Sequence, residues 1–242
     1  MKNRKHKDVM INGMSLDLVL NYHELWYEGE DDGVKANLSN QDLSNIDFSG
    51  CELRGANLSG SNLTDSKFNG AFLCGAKMKS CNLSGASFWK AHMVAVDLSG
   101  SYSKKGNVYF SEADLSYAKL SKIEGKRLNF YRSDLKNAEI KHTFIVNWNM
   151  RRANLIGADL DKSVIRNTPF DFSDMTKVNM SNTNAIDSDF KQTRMLEADL
   201  TNVLFKGCIL NWTNMAGANV KGMKLDNTIA DGTIFPHTME TT

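Results

Sequence analysis

Every fifth residue of the chain is apolar across two long runs. In the first, Leu38, Leu43, Phe48, Leu53, Leu58 and Leu63 lead through Phe68, Leu73, Met78, Leu83, Phe88 and Met93 to Leu98. In the second the same spacing carries Phe110, Leu115, Leu120, Phe130, Leu135, Ile140, Ile145, Met150, Leu155 and Leu160, and it persists to Leu225 and Phe235. A small residue sits two before most of these centres, as at Ala56, Ala76, Ala118, Ala153 and Ala198. A period of five is neither the 2.0 of a strand nor the 3.6 of a helix, so ordinary amphipathic elements do not explain it. It is the period of a solenoid, whose units bury their apolar faces only by stacking.

The unit is a small residue, Asn or Asp, an apolar centre and two further residues, as in Ala56-Asn57-Leu58-Ser59-Gly60 or Ala198-Asp199-Leu200-Thr201-Asn202. In these units the chain resembles the pentapeptide-repeat family, over residues 35 to 235. The resemblance implies an all-β fold: a right-handed quadrilateral parallel β-helix, one unit per side and four per coil. Each side then turns one large and one small side chain into a narrow core. Counting 13 centres in the first run and 26 in the second implies about ten coils. At about 4.8 Å per coil the rod is on the order of 45 Å long.

The two runs are out of phase, because Leu98 and Phe110 lie twelve residues apart, two more than two units. The repeats therefore divide into residues 35–100 and 110–235, with a bulge or short loop at 101–109. Insertions in solenoids map to loops on one face. Lys104 and Lys105 at the tip of this one are candidates, although lysines there are solvated by default. Residues 1–34 do not repeat. Ser15 is placed to cap a helix running to about Tyr27, with a polar stripe of Asp17, Asn21 and Glu24 and an apolar remainder that includes Leu18 and Trp26. The open first coil needs a cover, and this helix is the expected one. At the other end the tail, residues 236–242, is too short to seal a coil. Two readings follow: homodimerisation through the C-terminal end, or closure by Phe235 and Pro236 folding back.

Four cysteines are present; the frame turns Cys51, Cys81 and Cys208 inward and Cys74 outward. No Cys-x-x-Cys occurs, which fits a reducing cytoplasm. The five histidines are scattered, and no metal-ligand spacing, nucleotide loop or nucleophile motif is visible. The expectation is a non-enzyme without metal or cofactor, and no segment reads as a membrane span.

Function then falls to the outer faces, where positions twenty residues apart stack into columns. One side of the rod, spanning both runs, aligns Trp89, Tyr131 and Arg151, and beside them Lys90, Arg132, Arg152, Phe172 and Trp212. Aromatic residues with arginine are frequent interface anchors. Another side carries outward Phe144, Val146, Val164, Ile186 and Leu204, an apolar run that points to a partner or a covering segment. The family resemblance also raises DNA mimicry toward gyrase or topoisomerase IV, giving resistance to their inhibitors, which requires strong acidity. The net charge is +1, and neither repeat run is acidic. Only single acidic faces survive for that reading: Asp114, Asp134 and Asp174 on one side, Glu139, Asp159 and Asp199 on the next. The favoured expectation is a rigid rod that binds a protein partner by occlusion or scaffolding, in a setting the resemblance extends to effector, immunity or counter-defence roles. Direct nucleic-acid binding is a third class, disfavoured by the near-neutral charge.

Overall fold

A computed structural model describes residues 5–236. A short antiparallel hairpin, β1 (Met10–Ile11) and β2 (Met14–Ser15), leads into α1 (Leu16–Glu28). Ser15 caps α1 by accepting the Leu18 N–H, and Gly29 ends it in a left-handed conformation that the missing side chain allows. The helix lies over the first coil. Val34 N–H bonds the Tyr22 carbonyl at 2.8 Å, and the Ala36 amide donates to His23 Nδ1 at 3.1 Å. Ahead of the helix, the His6 ring stacks on Phe48 with centroids 5.6 Å apart. The covered stripe runs through Leu16, Val19, Leu20 and His23, one helical face. Leu18 and Trp26, expected from their apolarity to be covered, are exposed, and the polar His23 is fully buried in their stead.

From Ala36 onward the chain winds as a four-walled parallel β-helix. The walls are named by their first centres: Leu38 for wall 1, Leu43 for wall 2, Phe48 for wall 3 and Leu53 for wall 4. On wall 1 a single ladder runs Asn37, Asn57, Lys77, Asp97, Lys119, Glu139, Asp159, Asn179, Asp199 and Asn219, one residue per coil. The step changes once in each column: Asn82 pairs with Tyr102, twenty residues on, whereas Ser87 pairs with Tyr109, twenty-two on. The two surplus residues are thus absorbed at a corner of wall 2, in the turn through Gly106. Along walls 1, 3 and 4 the centres are buried as far as Leu200, Leu210 and Met215, the last coil's Val220, Ala230 and Phe235 being half-buried, and on wall 3 Phe48, Phe68, Phe88, Phe110 and Phe130 form one stack at 4.8–5.0 Å.

The other positions of the unit have equally physical reasons. The residue two after each centre turns the corner with positive φ, which favours Gly and Asn. The Asn or Asp one before the centre accepts the amide two residues on, as Asp114 does from Ser116 N–H at 3.0 Å. Where such an Asn follows an Asn or Asp one coil earlier it also bonds that side chain, as Asn154 Nδ2 does to Asp134 Oδ1 at 3.1 Å. Several inward hydroxyls and thiols stand in for alanine and donate to a carbonyl twenty-three residues back, Ser61 to Leu38, Thr183 to Leu160 and Cys81 to Leu58, whereas Ser133 donates to Phe130. Burial pushes the Cys51, Cys81 and Cys208 thiols up to about 11, so these cysteines behave as small core residues.

At the far end Phe235 packs on the core and Pro236 is buried, while Leu225, Ile229 and Ile234 of the last coil are exposed. Residues 237–242 of the expected tail lie outside the described residues.

Candidate functional site

Wall 2 is the one whose ladder changes character along the rod. Its upper coils make isolated pairs, then come β3 (Tyr102–Ser103) with β5 (Glu124–Gly125), and, at the adjoining corner, β4 (Val108–Tyr109) with β6 (Leu128–Asn129). Below these stands a continuous parallel sheet of β7 (Phe144–Val146), β8 (Val164–Arg166), β9 (Asn184–Ile186), β10 (Leu204–Lys206) and β11 (Lys224–Asp226). The outer surface of that sheet holds the apolar residues singled out above. Phe144, Val164 and Leu204 share one column with Asn184, and Val146 and Ile186 share the next with Arg166 and Lys206. Phe144 is 70 % exposed; its four apolar companions are half-buried.

Immediately above the sheet, wall 2 is dented. Two successive coils place Ser103 and Gly125, partners in the ladder, where a large centre belongs. The gap in the core is filled from wall 3 by Trp148, fully buried, whose indole N–H donates to the Gly125 carbonyl at 2.8 Å. Outside, the dent is an open groove of about 760 Å³ bordered by Lys104, Lys105, Lys126, Arg127, Phe144 and Val146. Ser84 Oγ fixes the loop by accepting the amides of Lys104 at 3.0 Å and Lys105 at 3.4 Å. Among the described residues no ion pair engages any of these four cations. The sequence signal for the dent is a Gly in the centre frame with a Trp in the small-residue frame twenty-three residues later.

The basic aromatic strip lies on wall 3 and is internally engaged. Lys90 sits over Trp89 at 4.5 Å and pairs with Glu112; Arg132 lies 5.2 Å from the Tyr131 centroid. Arg151 Nε bonds Asp171 at 2.8 Å, and Arg152 covers Phe172 at 5.4 Å. Trp212, 62 % exposed, lies against Gly232 one coil on. The acidic candidates fall on walls 4 and 1 and are likewise occupied. Asp114, Asp134, Asp174, Asp159 and Asp199 each accept an amide two residues on, Arg194 lies 3.8 Å from Asp174, and Lys141 bridges Glu139 and Asp159. Among the described residues no three His, Cys, Asp or Glu side chains gather as a metal site, and no helix is long and apolar enough to cross a membrane.

A four-walled parallel β-solenoid with an N-terminal cap, its distinctive chemistry confined to outer surfaces, defines the class of protein. The chain belongs to the pentapeptide-repeat family: the family model, pentapeptide repeats in 8 copies, matches residues 34–70, 61–100, 109–145, 129–167, 149–192 and 193–229. Among curated proteins none matches. Solved structures similar to it include HetL, a pentapeptide repeat protein involved in heterocyst differentiation regulation from the cyanobacterium Nostoc sp. strain PCC 7120, at 22% identity over 90% of this chain and 97% of that one, TM-score 0.48. Full-length QnrB1, a plasmid-mediated fluoroquinolone resistance protein, aligns at 16% identity over 80% of this chain and 92% of that one, TM-score 0.33. A pentapeptide repeat protein of the Arabidopsis thaliana thylakoid lumen aligns at 28% identity over 51% of this chain and 71% of that one, TM-score 0.31.

Proposed function

We propose that this protein is a non-enzymatic binding rod that captures a protein partner on wall 2 and acts by occlusion or scaffolding. The observation that carries the reading is a contrast within one wall. In the upper coils the two outward columns are polar: Asp42, Asn62 and Asn82 in one, Ser44, Thr64 and Ser84 in the other. In the lower coils the same columns hold Phe144, Val164 and Leu204, and Val146 and Ile186. The repeat needs no apolar residue at either outward position, so their recurrence on a flat sheet answers to something outside the rod. The engaged state of the acidic columns gives gyrase mimicry no comparable support, and the near-neutral charge gives direct nucleic-acid binding none.

The experiment is capture of a stoichiometric partner from the source cells by the full chain and by a variant carrying Phe144→Ser, Val164→Ser and Leu204→Ser. A supercoiling assay with purified gyrase is run beside it. The reading expects a partner retained by the native rod and lost by the variant at unchanged melting temperature, with supercoiling untouched. Equal retention by both proteins contradicts it.

A further inference from the structure

The groove above the sheet carries a chemistry that the sheet does not. Four cations, Lys104, Lys105, Lys126 and Arg127, border it against one carboxylate, Glu124. Its lower lip is the exposed Phe144 ring with Val146 behind it. The backbone there is also interrupted: among the described residues Lys126 pairs with Val146, but no ladder pair joins Glu124 and Gly125 to Phe144 and Ile145. Built-in causes account for each feature. The surplus residues of the loop bring Lys104 and Lys105 to the rim. The missing side chain at Gly125 leaves the floor low.

We propose that this groove binds an extended acidic segment of a protein, its carboxylates meeting the four cations and an apolar side chain resting on Phe144. The assignment rests on the reading of wall 2 as a docking face and names the chemistry of what docks at its upper end. Charge complementarity selects the acidic partner, since like charges so placed repel one another until an anion intervenes. The apolar lip and the interrupted ladder select a peptide over a nucleic acid. A phosphate backbone needs cations that continue along its track. Below the groove one column turns to Val164, Asn184 and Leu204; in the other a single cation, Arg166, is followed by the apolar Ile186, and Lys206 beyond it is paired with Asp226 at 3.0 Å.

Fluorescence anisotropy on the full chain tests this with three labelled probes: a short peptide of alternating glutamate and leucine, its glutamine counterpart, and single-stranded oligothymidine of matching charge. The glutamate peptide is expected to bind roughly tenfold more tightly than the glutamine peptide, and less tightly as salt rises. The double reversal Lys104→Glu with Arg127→Glu, both at exposed positions, is expected to abolish that preference without shifting the melting temperature. Phe144→Ser is expected to weaken both peptides and keep the preference for glutamate. Equal binding of the two peptides, an unaltered preference in the double reversal, or tighter binding of oligothymidine overturns the assignment. The partner-capture variant on the sheet separates the two claims. If it still loses its partner while the charge reversal does nothing, the groove assignment fails and the docking wall stands.

Discussion

Trp148 donates its indole N–H to the carbonyl of Gly125 across the same twenty-three-residue offset at which Ser61 reaches Leu38 and Thr183 reaches Leu160. The tryptophan therefore does two jobs. It supplies the donor that a small inward residue supplies elsewhere, and it supplies the volume that Gly125 lacks. Trp148→Phe keeps most of the volume and leaves the Gly125 carbonyl unpaired, at an expected cost of about 1–3 kcal/mol. Trp148→Ser opens a cavity and is expected to cost about 3–5 kcal/mol. Adding Gly125→Leu to the serine variant restores the ordinary unit, so the double variant is expected to recover part of that loss. Urea denaturation of the three proteins checks the order, and a double variant no more stable than Trp148→Ser contradicts the account.

Leu155 is a fully buried centre in the middle of the rod. Leu155→Asp places a carboxylate where no cation or amide is free to meet it, which costs several kcal/mol or forces protonation. Because stability in a solenoid is shared between neighbouring coils, the effect is expected to be loss of the cooperative melt. Circular dichroism on heating reads it.

His23 gives the cap a pH dependence. Burial, and then the charge of Lys35, hold its imidazole below the ordinary value of 6.5. Its Nδ1 accepts the Ala36 amide, and Nε2 is buried without a hydrogen-bond partner among the described residues. The folded state thus prefers the neutral ring. The stability it contributes is fully present above 6.5 and is lost as pH falls below that value toward the lowered folded pKa. The protection factor of the Ala36 amide, its exchange rate relative to the intrinsic rate at the same pH, is expected to fall on acidification from neutral pH, with that of the mid-rod amide of Leu155 unaffected. In His23→Gln the acid-dependent loss of protection is expected to disappear.

Gly232 shows why a corner residue is constrained from outside its own unit. Its φ is +65°, and a Cβ there would meet the Trp212 ring at 2.5 Å. Gly232→Ala is expected to destabilise the last coil by more than the roughly 1 kcal/mol of left-handed strain alone. Combined with Trp212→Ser, the excess is expected to vanish. Trypsin sensitivity of the last coil measures both.

The frame itself was legible because it repeats a size rule, large at the centre and small two before, that a narrow core enforces coil after coil. Frame position alone was enough to put Phe144, Val164 and Leu204 in one outward column and Arg152, Phe172 and Trp212 in another. The groove was not legible, since it depends on two departures that compensate across a corner, Gly125 and Trp148, and neither means much singly. His23 was not singled out on the cap, because nothing in a lone histidine beside the helix's polar stripe signals that its ring receives the Ala36 amide at the start of the solenoid. The acidic columns looked available because sequence does not reveal that their aspartates accept amides two residues along and that Glu139 is paired with Lys141.

Photo-crosslinking in the source cells tests the central claim most directly. A photoreactive side chain is placed in turn at Phe144 and Leu204 on wall 2, at Trp212 on wall 3 and at Ile156 on wall 4. The account predicts one and the same protein crosslinked from positions 144 and 204, and none from 156. Crosslinks from 212 or 156 with none from wall 2 contradict it.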